Sequence, residues 1–131
     1  MSKKEIEVTP STRAIVHADM VAALAKSGYD IMDTMTEESL EVWHMATGIS
    51  GEAGELLDAI KKVVIYNKPV DRANVIEELG DLEFYMEGLR QLFGVTREET
   101  LEYNKAKLSV RYGEAYSDEA AQARADKTDG E

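Results

Sequence analysis

An all-α fold is expected from this sequence: a four-helix bundle whose apolar faces are completed by neighbouring copies. Two observations carry that expectation. Apolar residues recur at helical spacing over long stretches, with Ile49, Ala53, Leu56, Ile60 and Val63 on one stripe and Val75, Leu79, Leu82, Met86, Leu89 and Phe93 on another. The chain is also punctuated as helical proteins are, with only two prolines in 131 residues, each beside cap or turn residues. Four helices leave too little interior to hide all these stripes, hence the expected oligomer.

Taken in order, residues 1–8 read as a lead-in. Thr9-Pro10 starts a helix over about 10–26, because proline suits the first helical position. Ile15, Val21, Ala22, Leu24 and Ala25 form its apolar side, and Ser27-Gly28 ends it before a loop at 28–35. Thr36 caps a long second helix, with Glu37 and Glu38 favouring its positive end, and this helix reaches Ile65 or Tyr66. Asn67-Lys-Pro-Val is a turn. Asp71 caps a third helix over about 72–93, closed by Gly94. Thr96-Arg-Glu-Glu99 is a capping box that opens a fourth over about 97–112. Residues 1–113 make one helical domain. The acidic tail, 114–131, holds a short capped helix from Ser117 to Arg124 and is disordered over its last five or so residues.

Composition narrows the function. A net charge of −11 excludes a nucleic-acid polymer as partner, because phosphate backbones need a basic surface, but leaves open a nucleotide delivered as its metal complex. There is no cysteine, which removes disulfides and thiolate metal sites. No apolar run approaches the length of a membrane span, and the first residues lack a leader's apolar segment. A cytoplasmic protein is expected.

The informative feature is a pair of matched acidic motifs. One residue ahead of each apolar stripe runs a second stripe: Gly48, Glu52, Glu55, Ala59 and Lys62, then Asn74, Glu78, Asp81, Tyr85 and Gly88. Each helix therefore carries carboxylates at i and i+3 beside its buried face. Packed together, the helices bring four carboxylates to one half-sheltered place. Crowded like charges raise one another's pKa and destabilise the fold unless a counter-charge joins them. Mg2+, with Mn2+ as substitute, is the hard cation that an all-oxygen cluster selects. Gly48, Gly51 and Gly54 each cost about 1 kcal/mol against alanine in a helix, so a close approach of backbone or ligand is expected at them. A solvated acidic face is the plain alternative for any one of these residues; the matched register of two pairs beside glycines favours the metal.

Glu52-x-x-Glu55, a spacer of twenty-two residues and Glu78-x-x-Asp81 resemble the metal-binding signature of the MazG-like all-α nucleoside triphosphate pyrophosphohydrolases, relatives of the dimeric dUTPases. Gly51-Glu-Ala-Gly-Glu-Leu, Glu77-Glu-Leu-Gly-Asp-Leu and Asn104-Lys-Ala-Lys-Leu-Ser-Val-Arg-Tyr112 are similar to that family's phrasing, over about residues 37–113. The resemblance implies Mg2+-dependent cleavage of a nucleoside triphosphate to monophosphate and pyrophosphate, in nucleotide-pool control, by a homodimer or homotetramer. Glu52, Glu55, Glu78 and Asp81 would hold the metal, and Glu52 or Glu55 would take a proton from the attacking water. Asn104, Lys107 and Arg111 share one helical face and would grip the polyphosphate; spacing alone reads them as a charged surface helix. Tyr85 is placed to touch sugar or phosphate. Lys62 would meet a phosphate or, equally, form a salt bridge. Trp43 and His44 suit contact with base or sugar.

Two other readings fit parts of the sequence. A di-iron bundle needs two Glu-x-x-His motifs; Glu41-x-x-His44 supplies one, but His17 follows Ala14 and supplies none. A non-catalytic acidic helical module fits the net charge, but it needs neither paired acids nor metal.

Overall fold

The computed structural model describes residues 4–127 and, among them, seven helices and no strand. They are α1 (Pro10–Arg13), α2 (His17–Leu24), α3 (Gly28–Thr34), α4 (Glu37–Val64), α5 (Arg72–Phe93), α6 (Arg97–Tyr112) and α7 (Asp118–Ala123). The chain divides between Met35 and Thr36 into two compact units.

The first unit departs from the expected single helix and loop. Thr9 caps α1 through a capping box with Thr12, as Thr9-Pro10 predicts, but the chain extends again at Val16, where ψ is 110°. The adjacent β-branched pair Ile15-Val16 is a weak helix former. Tertiary burial does not override it, since Ile15, Val21 and Leu24 are 47, 50 and 75% exposed. Ser27 does not end a helix either: its Oγ accepts the Asp30 N–H at 3.0 Å and starts α3, so Gly28–Thr34 is helical within the stretch 28–35 expected as a loop.

In the second unit the expected helices form within a residue or two of their expected bounds. Thr36 and Ser39 make a reciprocal capping box for α4, and Asp71 Oδ1 accepts the Asn74 N–H at 3.0 Å to cap α5. Gly94, at φ 64°, closes α5 in the left-handed conformation that glycine adopts without strain. Thr96 caps α6 by accepting the Glu99 N–H at 3.1 Å; among the described residues only this half of the box forms. Ser117 caps α7, bearing out the short tail helix. The expected terminal disorder falls largely on residues 128–131, which lie outside the described residues. No described helix is long and apolar enough to cross a membrane.

The principal packing is α4 against α5, joined by the turn at 65–71, with α6 against α7 a smaller second contact. The α4–α5 pair is antiparallel, since Gly48 meets Tyr85, Met45 meets Gly88 and Glu55 lies near Glu78. The most enclosed part of the seam lies beside the apolar stripes, whose residues Ile49, Leu56, Val63, Val75, Leu82, Met86 and Leu89 are half-buried. Among the described residues only Ala59 and Glu78 are buried, at 8% exposure each, and both belong to the stripe one residue ahead. On the apolar stripe, Ile60 is 41%, Leu79 48% and Phe93 65% exposed. The two helices enclose Ala59 and Glu78 of the neighbouring stripe most fully, and leave the apolar stripes part open at Ile60, Leu79 and Phe93.

Candidate metal centre

Each helix presents its acidic pair from regular α-helix, so spacing fixes the placement. In α4, Glu52 and Glu55 sit at i and i+3 on one face. Glu78 projects from α5 across the seam. One carboxylate oxygen from each of Glu52, Glu55 and Glu78 lies within 4.8 Å of the other two. Glu55 is exposed, Glu52 half-buried and Glu78 buried. Asp81 is exposed and outside this group of three, although the antiparallel register sets it level with Glu52.

Glu78 is the unusual member. Its Oε2 is buried and has no hydrogen-bond partner. A buried carboxylate oxygen without donor or cation is costly, and structural carboxylates rarely carry one. Its pKa is raised, first by burial and then by the charges of Glu55, Glu52, Glu77 and Asp81. Three converging carboxylates, one of them orphaned and facing like charges, form a donor set that fits a hard divalent cation. An open cavity of about 390 Å³ is lined by Glu55 and Glu78, but not by Glu52, with Gly51, Gly54, Asp58, Lys62 and Asn74 in the rest of its wall.

The glycines divide by role. A Cβ on Gly48 would overlap three atoms of the Tyr85 ring, and one on Gly88 would overlap Met45 Sδ. Each glycine admits a large side chain from the opposite helix. The close approach expected at Gly51 and Gly54 does not occur within the chain: nothing lies within 4 Å of a Cβ built at either. Both face the open cavity instead.

The other expected site residues are scattered. Lys62 bridges Asp58 at 3.1 Å, the expected salt bridge, and lines the cavity beside Glu55 and Glu78. Tyr85 packs on Gly48, with His44 edge-on at 6.2 Å between ring centroids, and does not line the cavity. His44 and the 69%-exposed Trp43 line a separate, largely apolar cavity of about 450 Å³ with Leu40 and Thr47. None of Asn104, Lys107 and Arg111 lines the cavity over the carboxylates. Arg111 is engaged elsewhere: its Nε and Nη2 donate to Asp126 Oδ1 and Oδ2 at 2.5 and 3.0 Å. This fork raises the arginine's pKa and lowers that of Asp126.

Sequence reasoning missed Asp58 and Asn74 in the cavity wall and Asp126 as the partner of Arg111. Asn74 was findable, since it shares a stripe with Glu78. Asp126 was not, because its contact depends on how the tail turns back after Gly113, at φ 66°.

Neither the curated proteins nor the solved structures include one that matches this chain. The model of the MazG nucleotide pyrophosphohydrolase domain matches residues 41–114, a span that holds both acidic pairs and the Asn104–Tyr112 segment. That match covers more than half of the chain, and the protein belongs to the MazG nucleotide pyrophosphohydrolase domain family.

Proposed function

We propose that the protein hydrolyses nucleoside or deoxynucleoside triphosphates to the monophosphate and pyrophosphate, with Mg2+ (Mn2+ substituting) held by Glu52, Glu55, Glu78 and Asp81. The observation that carries this reading is the orphaned, buried Oε2 of Glu78 beside Glu52 and Glu55. Bound there, a divalent cation supplies charge neutralisation for phosphate oxygens and makes a water more acidic.

The chain's own residues do the rest. Glu78, enclosed by the seam, is a fixed ligand. Glu52 or Glu55, less enclosed, takes the proton of the water that attacks the α-phosphorus. The bond from that phosphorus to its bridging oxygen breaks, and pyrophosphate leaves with both bonding electrons. Lys62 in the cavity wall, with Asn104, Lys107 and Arg111 as the resemblance implies, offsets the charge on the departing group. Tyr85 contacts sugar or phosphate. Trp43 and His44, exposed beside Leu40, offer the base a stacking surface. The working unit is a homodimer or homotetramer, in which a neighbouring copy covers the apolar stripes.

A panel of ribo- and deoxynucleoside triphosphates with Mg2+, assayed separately for pyrophosphate and orthophosphate, tests this reading. Pyrophosphate release that stops on chelation supports it. Orthophosphate as the first product, activity indifferent to chelator, or full activity in Asp81→Asn would each overturn it.

A further inference from the structure

The cavity over the carboxylates does not end at Lys62. Lys62 and Asn74 also line a second cavity, of about 460 Å³, at the turn between α4 and α5. Its other walls include Tyr66, Lys68 and Asp71.

The turn is shaped to put Lys68 there. Asn67 takes a left-handed backbone, φ 52°, and the chain folds back so that the Lys68 N–H donates to the Lys62 carbonyl at 3.1 Å. Asparagine tolerates that conformation better than most residues. The result sets two lysines on one cavity at the negative end of α4. Their charges are treated differently. Lys62 bridges Asp58, whereas no carboxylate among the described residues lies within ion-pair distance of Lys68. Asp71, the acid of this cavity, keeps its charge but is held at the positive end of α5, where its Oδ1 accepts the Asn74 N–H. The cavity therefore offers an unpaired ammonium group, a paired one and the Asn74 amide side chain, next to a site whose proposed ligand is a metal-bound polyphosphate.

Resting on that reading of the carboxylate group, we propose that the cavity at the α4–α5 turn is an anion subsite for the pyrophosphoryl end of the substrate and for free pyrophosphate, with Lys68 as its principal cation. Both forms of the ligand present the same chemistry, a diphosphate remote from sugar and base. A lysine presented as a mobile point charge suits a group that must enter as part of the substrate and leave as product. The fork of Arg111 with Asp126 points the same way, because a guanidinium already satisfied at both ends of a carboxylate has to break that contact before it serves a phosphate.

The test is calorimetric titration of the full chain and its Lys68→Ala and Lys68→Arg variants with inorganic pyrophosphate in Mg2+, and separately with a nucleoside monophosphate in Mg2+. Mn2+ binding, followed by electron paramagnetic resonance, runs beside it. We expect Lys68→Ala to weaken pyrophosphate binding about tenfold, the scale of one lost charge-assisted contact. Lys68→Arg should keep most of the affinity. Monophosphate and Mn2+ binding should be unchanged in both. A KM for triphosphate that rises in Lys68→Ala together with its pyrophosphate Kd assigns the subsite to the bound substrate; a change in pyrophosphate Kd alone assigns it to the product. Intact Mn2+ binding with unaltered pyrophosphate affinity in Lys68→Ala would overturn the subsite and leave the metal centre standing. Absence of Mn2+ binding in the unmodified chain would overturn both.

Discussion

Gly48 of α4 and Tyr85 of α5 form a seat and its occupant: the tyrosine ring lies over the backbone of Gly48, in space that any larger residue would need. The contact falls one helical turn from Glu52 on α4 and from Asp81 on α5, so it helps set the separation at which the acidic pairs face each other. Gly48→Ala should therefore destabilise the α4–α5 pair. Overpacking costs about 1–3 kcal/mol, against which alanine returns about 1 kcal/mol of helix propensity. Chemical denaturation should show the loss, and Gly48→Ala combined with Tyr85→Ala should be less harmful than the sum of the two single changes. Strict additivity would mean that the ring moves freely out of the way.

Gly54 should behave in the opposite sense. Nothing within the chain meets a Cβ there, so Gly54→Ala should stabilise the metal-free protein by roughly 0.5–1 kcal/mol through helix propensity. If nucleotide or metal enters the cavity beside it, the same methyl group should weaken binding. A variant that melts higher and binds Mg2+–nucleotide less tightly is the expected outcome; one that melts higher and binds unchanged would show that the cavity wall at 54 is not used.

The raised pKa of Glu78 gives a pH dependence of definite sign. Below its unfolded value, near 4.5, the group is protonated in both states and contributes no pH dependence. Above that value the folded state holds the proton more tightly, so stability falls as pH rises through the folded pKa. Glu78→Gln removes this term. The difference in stability between variant and unmodified chain, without metal, should grow in the variant's favour from pH 4.5 toward neutrality. Mg2+ should shrink the difference by stabilising only the unmodified chain. A pH-independent difference would show that burial does not penalise the Glu78 charge.

Arg111 and Asp126 predict the reverse trend for the tail. The depressed pKa of Asp126 means that its contribution is complete above its unfolded value, 3.8, and is lost as pH falls through the lower folded value. Asp126→Asn should remove that contribution at neutral pH and expose the segment after Gly113 to limited proteolysis. Arg111→Ala should do the same. If Arg111 also serves the polyphosphate, Arg111→Ala alone should lower kcat/KM, by about tenfold or more, while Lys105→Ala, off that helical face, leaves it unchanged. Equal kinetic effects of Arg111→Ala and Asp126→Asn would assign the arginine to holding the tail.

Assembly is checked by mass. Trp43, Leu57, Phe84 and Phe93 are each 65–69% exposed, an apolar surface that α4 and α5 do not cover for each other. Light scattering at micromolar concentration should find twice or four times the 14.6 kDa chain mass. A species of one chain mass alone would rule out the oligomer.

Local rules determined much of this protein directly from sequence. Thr36, Asp71, Gly94, Thr96 and Ser117 mark their helix ends through side-chain oxygens or a left-handed glycine, interactions that span a few residues and need no tertiary partner. The i, i+3 acidic pairs were legible for the same reason, because helix geometry alone puts Glu52 beside Glu55. The tertiary structure decided which stripe faces which. Apolar periodicity identifies a face that seeks burial but does not say whether the chain's own helices or another copy will bury it; here α4 and α5 close most fully on Ala59 and Glu78, leaving the apolar stripes part open. The break at Val16 and the fork of Arg111 with Asp126 were likewise beyond sequence. The first turns on tertiary burial failing to override a weak helix former, and the second joins residues fifteen apart through a tail whose path no local rule sets.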